Sequence, residues 1–121
     1  MYYKQEIGKM GEDKAVKYLK DNGYKIIERN FMCRQGEIDI IARDTDKGEY
    51  VFIEVKTRTN FYYGKPVDAV NIKKRRHIVY ATKYYIYKNH LENKLIRFDI
   101  IEIYKKDKFY IKHLKNCEIF I

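Results

Sequence analysis

The sequence predicts an α/β fold, a central mixed β-sheet flanked by helices in the order α-β-β-β-α-β-β. Three observations carry this reading. Two segments, about Lys4 to Asn22 and Asp68 to Asn89, place apolar residues at helical spacing. Two others, Gly36–Ala42 and Tyr50–Lys56, are apolar on both alternating faces, as strands covered on both sides are. Across 121 residues there is one proline, no internal repeat and no low-complexity linker, which predicts one domain over residues 1–121.

Each element has its own justification. In the first helix Glu12, Ala15, Val16 and Leu19 fall at i, i+3, i+4 and i+7, and Gly23 suits the C-terminal cap. Gly8 and Gly11 would let that helix approach the sheet closely. A strand over Tyr24–Arg29 leads into a turn or loop from Asn30 to Gln35. Strands over Glu37–Arg43 and Glu49–Thr57 flank Asp44-Thr45-Asp46-Lys47-Gly48, which has hairpin-turn chemistry. Thr59 to Pro66 reads as a loop. The second helix carries an apolar stripe of Ile78, Ala81 and Tyr85 and a basic run, Lys73-Lys74-Arg75-Arg76. Leu95–Tyr104 is a further strand, and Phe109–Leu114 pairs with it as a hairpin across Lys105–Lys108. Cys117–Ile121 either extends the sheet or packs on it.

Composition narrows the class. A hydrophobic fraction of 45% is enough for a core, and no stretch approaches the ~18 continuous apolar residues of a membrane helix. The N-terminal segment is charged from Lys4 onward and lacks the apolar block of a signal peptide, which predicts a cytoplasmic chain with no membrane partner. Cys33 and Cys117 form no metal-ligand pattern and read as reduced thiols. The net charge of +9 favours a polyanion partner, DNA or RNA, over solubility alone. The thirteen tyrosines can stack on bases, but most of them are expected to fill the core and its rim.

The chemistry lies in charged residues inside apolar strands. Asp39, Glu54 and Lys56 interrupt segments that otherwise read as buried, and an ionised carboxylate is costly to bury unless paired, hydrogen-bonded or bound to a metal. Strand period puts Phe52, Glu54 and Lys56 on one face and Val51, Ile53 and Val55 on the other, with same-face residues ~6.6 Å apart. If the preceding strand pairs through its short turn, Asp39 reaches the same point. Asp39, Glu54 and the backbone carbonyl of Val55 then form a sparse oxygen site, which suits Mg²⁺ with its retained waters and substrate phosphate. Lys56 would orient the attacking water or stabilise developing negative charge. Glu12 points inward from the first helix, as a metal ligand or as an acceptor behind one. Taken singly, each has a plainer reading. Glu12 could be a paired structural acid, Glu54 and Lys56 a strand-end ion pair, and Asp39 a turn cap.

At these residues the chain resembles the PD-(D/E)XK nuclease superfamily, with its restriction-endonuclease-like fold. More narrowly it is similar to the bacterial YraN family of predicted endonucleases, itself similar to archaeal Holliday junction resolvases. The matching segments are Gly11-Glu12 with Ala15 and Leu19, Gly23-Tyr24, Gly36-Glu37-Ile38-Asp39, Phe52-Ile53-Glu54-Val55-Lys56-Thr57-Arg58, Lys73-Lys74 and Arg97-Phe98-Asp99. The resemblance implies that Asp39 and Glu54 are metal-binding acids, Lys56 the catalytic lysine and Glu12 the helical glutamate many members add. It implies Mg²⁺- or Mn²⁺-dependent cleavage of nucleic-acid phosphodiesters. Ile38 stands where the superfamily name has proline.

Arg58, Lys65, Lys73 and Lys74 are the candidate nucleic-acid contacts, with Phe61-Tyr62-Tyr63 as a stacking loop. The bland alternatives are a loop packed on itself and a solvated helix face. His77, His90 and His113 show no ligand spacing and receive no role. Arg97 and Asp99 read as a structural ion pair on the fourth strand, near the site. The sequence therefore predicts a metal-dependent nuclease acting on DNA, with branched or single-stranded DNA as its substrate class. A homodimer is the state that paired cuts on a junction would call for. The alternative is a catalytically silent nucleic-acid-binding or adaptor module on the same fold.

Overall fold

The computed structural model describes residues 2–58 and 72–119, with side chains from Glu6 onward. The described elements are α1 (Tyr2–Asp21), β1 (Tyr24–Cys33), β2 (Gly36–Asp44), β3 (Glu49–Arg58), α2 (Ile72–Lys88), β4 (Ile96–Lys105) and β5 (Phe109–Leu114). Their order is the predicted α-β-β-β-α-β-β. The predicted start of the second helix at Asp68, the loop Thr59–Pro66 and Lys65 lie outside the described residues.

The strands form one sheet in the order β1-β2-β3-β4-β5. β3 and β4 pair parallel and every other pair is antiparallel, so the sheet is mixed as expected. The central position of β3 accounts for its apolar character on both faces. On one face α1 covers β1, β3 and β4 through Ala15, Val16 and Leu19, which pack with Ile40, Ala42, Val51, Ile53, Ile101 and Ile103. On the other, α2 sets Ile78, Ala81 and Tyr85 against Ile38, Ile41, Phe52, Phe98 and Ile100.

Local chemistry sets the turns. Gly23, at φ +86°, stops α1, since left-handed backbone costs glycine little. In the β2–β3 turn the Asp44 carboxylate accepts from the amides of Asp46 and Lys47, at 3.1 and 3.3 Å. Beyond β5, Cys117 donates its amide to the Phe98 carbonyl at 2.7 Å, and Ile119 is 3% exposed in the core. The terminal segment thus packs on the sheet.

Two expectations need correction. β1 does not end at Arg29. It runs to Cys33 through Asn30, whose φ of 52° is left-handed, a conformation asparagine tolerates better than most residues. Pairing resumes beyond it with Phe31 opposite Ile38, and only Arg34 and Gln35 form the turn. Gly8, in turn, is not a close-approach glycine, because a Cβ there would meet nothing within 4 Å.

Gly11 is the close-approach residue. A Cβ on it would lie 2.1 Å from Thr57 Oγ1 and 3.1 Å from Thr57 Cβ. Gly11→Ala is therefore expected to push α1 off the end of β3 and cost about 1–3 kcal/mol. Gly8→Ala should instead stabilise α1 by ~0.5–1 kcal/mol through helix propensity. Urea midpoints of the two variants should move in opposite directions. Equal shifts would show that α1 does not seat on Thr57.

Candidate acid pair at a strand fork

The site forms where β2 and β3 part. Their ladder runs from Asp44↔Glu49 to Ile40↔Ile53 and stops there. β2 continues to Gly36 against β1, while β3 continues to Arg58 against β4. Asp39 and Glu54 are the first residues past the last pair, one on each arm of the fork.

A second irregularity aims Asp39. Arg29 faces Ile40 and Phe31 faces Ile38, with Asn30 and Asp39 between them. Ile40 packs in the α1 layer and Ile38 in the α2 layer, although they are two residues apart on one strand. Ordinary strand period would put both on one face. The left-handed turn at Asn30 on the neighbouring strand marks the place where the two strands change face together.

The helices straddle the fork from opposite sides. On the α1 side Gly11 rests on Thr57 of β3, while Glu12 Oε1 accepts from Arg29 Nη2 at 3.1 Å and Asn30 Nδ2 at 3.1 Å on β1. On the α2 side Lys74 Nζ lies 3.6 Å from Glu54 Oε2 on β3. There too, a Cβ on Gly36 would sit 2.6 Å from the His77 carbonyl oxygen, so α2 also presses on the tip of β2.

Between these contacts Asp39 Oδ2 accepts from the Val55 amide at 2.8 Å, a bond that crosses the fork. Glu54 is 1% exposed, and its Oε1 is buried with no hydrogen-bond partner among the described residues. Burial pushes the Glu54 carboxyl up to about 7, the Asp39 charge adds to this, and Lys74 and Lys56 oppose it. The Asp39 carboxyl is raised as well, first by burial, against the Val55 amide and with a contribution from Glu12. Two carboxylates thus share a poorly solvated space where negative charge is under-compensated.

The predicted site residues divide accordingly. Asp39, Glu54, Val55 and Lys56 lie together at the fork. Glu12 adjoins them electrostatically, with Arg29 and Asn30 as its hydrogen-bond partners. Lys74, read from sequence as a nucleic-acid contact, stands against Glu54 instead. Arg58 Nε pairs with the fully buried Glu102 at 3.1 Å, and Tyr104 donates to the same carboxylate. Arg58 is therefore mostly buried, while Lys73 is exposed. Lys65 and Phe61–Tyr63 lie outside the described residues.

Arg97 and Asp99 do pair, at 2.9 Å, but on the α1 side of the sheet, away from Glu54. Arg97 also binds Asp44, Glu49 and the Tyr24 hydroxyl. His113, which the sequence left without a role, holds Asp99 at 2.7 Å and Tyr18 at 2.9 Å.

The family model of Uncharacterised protein family UPF0102 matches residues 11–103, from the middle of α1 to the end of β4. The chain belongs to family UPF0102. A UPF0102 protein of Clostridioides difficile is 47% identical over 113 residues, covering 93% of this chain and 96% of that protein. A second, from Caldicellulosiruptor saccharolyticus, is 40% identical over 117 residues, covering 94% and 98%. A third, from Persephonella marina, is 46% identical over 106 residues, covering 88% and 90%. These UPF0102 proteins match over 90% or more of their own lengths. The span matched by the UPF0102 model contains Glu12, Asp39, Glu54 and Lys56.

A divalent cation can be tested against this UPF0102 site. Among the described residues no group of three or more His, Cys, Asp and Glu side chains is placed to hold a metal. The fork offers two carboxylates, one of them with an orphaned oxygen, and a neighbouring carbonyl. That set excludes an all-protein cage, and it matches the way Mg²⁺ binds, through one or two carboxylates plus waters and phosphate. No helix among the described residues is long and apolar enough to cross a membrane.

Proposed function

We propose that this UPF0102 protein is a Mg²⁺- or Mn²⁺-dependent nuclease that hydrolyses phosphodiester bonds in DNA. Branched or single-stranded DNA is the substrate class. The observation that carries this is the buried, unpartnered Oε1 of Glu54 beside Asp39, at a fork in the sheet, with Lys56 on the same strand face. The likeness of Asp39, Glu54-Val55-Lys56 and Glu12 to PD-(D/E)XK nucleases supports it, as does the net charge of +9.

Asp39, Glu54 and the Val55 carbonyl would hold the cation. Bound there, Mg²⁺ supplies a water of lowered pKa and neutralises charge on the phosphate. The protein does the rest. The Val55 amide fixes the Asp39 carboxylate, Lys74 balances Glu54, and Lys56 orients the nucleophilic water and steadies the charge that develops on the phosphate. Glu12, tied to Arg29 and Asn30, keeps negative charge behind Asp39.

The Lys74–Glu54 contact gives the alternative its one specific support. An ammonium beside the buried acid offsets part of its charge without a metal, as a binding or adaptor module would need. Cleavage of labelled duplex, single-stranded, flap and four-way-junction DNA, and of RNA, separates the two. The assays contain Mg²⁺, Mn²⁺ or EDTA, beside Glu54→Ala and Lys56→Ala. Metal-dependent cutting reduced by at least about 10²–10³-fold in both variants is expected. Salt-sensitive binding without cutting by the unaltered protein would establish the silent module.

A further inference from the structure

Away from the fork, α2 carries a concavity of about 430 Å³ on its outer flank. Its lining includes Ile72, Arg75, Arg76, Tyr80, Lys83 and Ile119. None of the three cations and the one tyrosine in that set has a side-chain ion pair or hydrogen bond among the described residues, and no acid belongs to the described lining. Tyr80 is 51% exposed and Ile72 69% exposed, a high degree for an aromatic ring and a large aliphatic chain. Lys74, whose ammonium reaches Glu54, lies on the buried stripe of the same helix, so the concavity and the acid pair are served by different faces of α2.

The charge of the lining selects the occupant. Three cations with no acid partner among the described residues attract a polyanion and disfavour a basic partner. The volume lies at the small end of the ~300–1,000 Å³ of small-ligand sites, enough for a nucleotide and too small for a double helix. An exposed aromatic ring among phosphate-binding cations is the arrangement by which single strands are held without sequence readout.

We propose that this flank of α2 is a single-strand track. Phosphates lie on Arg75, Arg76 and Lys83, a base stacks on Tyr80, and the strand leads round the N-terminal turn of α2 toward the fork. The inference rests on the nuclease reading and deepens it by naming the part of the substrate that the domain holds.

The test is binding of fluorescently labelled single-stranded and duplex oligonucleotides by anisotropy, in EDTA so that no cutting intervenes. The proteins compared are the unaltered chain, Tyr80→Ala, Tyr80→Phe and the double variant Arg76→Gln/Lys83→Gln. Tyr80→Ala should weaken single-strand binding about tenfold while Tyr80→Phe keeps it. The double variant should make the log–log salt slope shallower by about 1.4, from ~0.7 per phosphate contact on single strands.

Unchanged single-strand binding in Tyr80→Ala and in the double variant would overturn the track alone and leave the nuclease reading intact. Equal losses on duplex and single strand would overturn the single-strand assignment. Equal affinity for poly-L-glutamate of matched charge would reassign the face to an acidic protein. An unaltered chain that neither binds nor cuts nucleic acid would remove both readings.

Discussion

Glu54→Gln is expected to raise the stability of the metal-free protein at pH 8 while eliminating metal-dependent cleavage. Glu54 has its carboxyl pushed from 4.5 to about 7 by burial and by Asp39. A group whose folded value is raised lends stability that is complete below its unfolded value and lost as pH climbs through the folded one. At pH 8 the native protein therefore carries the full cost of the buried charge, on the order of 1–3 kcal/mol. Glutamine removes the charge and keeps the shape. The melting temperature should rise by roughly 4 °C per kcal/mol gained, and the gain should vanish near pH 4.5. Mg²⁺ should raise the melting temperature of the unaltered chain and leave the variant unmoved, because a ligand stabilises only the state that binds it. Thermal unfolding at pH 4.5 and 8, with and without Mg²⁺, checks this. A variant less stable than its parent at pH 8 would mean that the Lys74 contact outweighs the cost of burying the charge.

The largest loss of stability is expected from Arg97→Ala. The Arg97 guanidinium is 4% exposed and joins Asp99, Asp44, Glu49 and Tyr24, so its loss strands carboxylates on β2, β3 and β4. Breaking one side of a buried ion pair costs ~3–5 kcal/mol. Lysine cannot substitute, since Arg97 uses Nε and Nη2 together on the two oxygens of Asp99. The pH dependence carries a signature. Burial pushes the Asp99 carboxyl up, but His113, Arg97 and the Asn116 amide outweigh it and hold it below the usual range. Asp44 is likewise lowered, with Arg97 and the Lys47 amide outweighing burial. Depressed carboxylates stabilise above their unfolded value, 3.8 here, and lose that stability as pH falls through the folded one. Arg97→Ala should therefore unfold at lower urea concentration at pH 7 and lose less than its parent on acidification below pH 4. A midpoint within experimental error of the parent at pH 7 would show that the network contributes specificity and no stability.

The strand positions of Asp39, Glu54 and Lys56 were legible because each breaks an otherwise apolar segment, and a two-residue period needs no tertiary information. Glu12 was legible for the same reason on a helix. Lys74 carried a readable signal that the basic run concealed. It precedes Ile78, Ala81 and Tyr85 by four, seven and eleven residues, so it lies on the buried stripe and not with its solvent-facing neighbours. The change of face at Asn30 and Asp39 could not be read. It depends on one residue's backbone sign, and Phe31-Met32-Cys33 looks like a loop until its pairing with Gly36-Glu37-Ile38 is known. Apart from Asp99, the partners of Arg97 were equally hidden, because they come from β1, β2 and β3 and meet only after the sheet is assembled.

The reversal on β2 has a consequence for how this protein tolerates change. Ile38 is anchored in one hydrophobic layer and Ile40 in the other, and Asp39 hangs between them like a beam between two walls. Its carboxylate is surveyed from both sides, so a repacking at Leu19 beneath one face or at Ile78 beneath the other would alter its distance to Glu54. The spacing of the two acids is a gauge of the whole interior, and drift in either layer would register there before the fold itself failed.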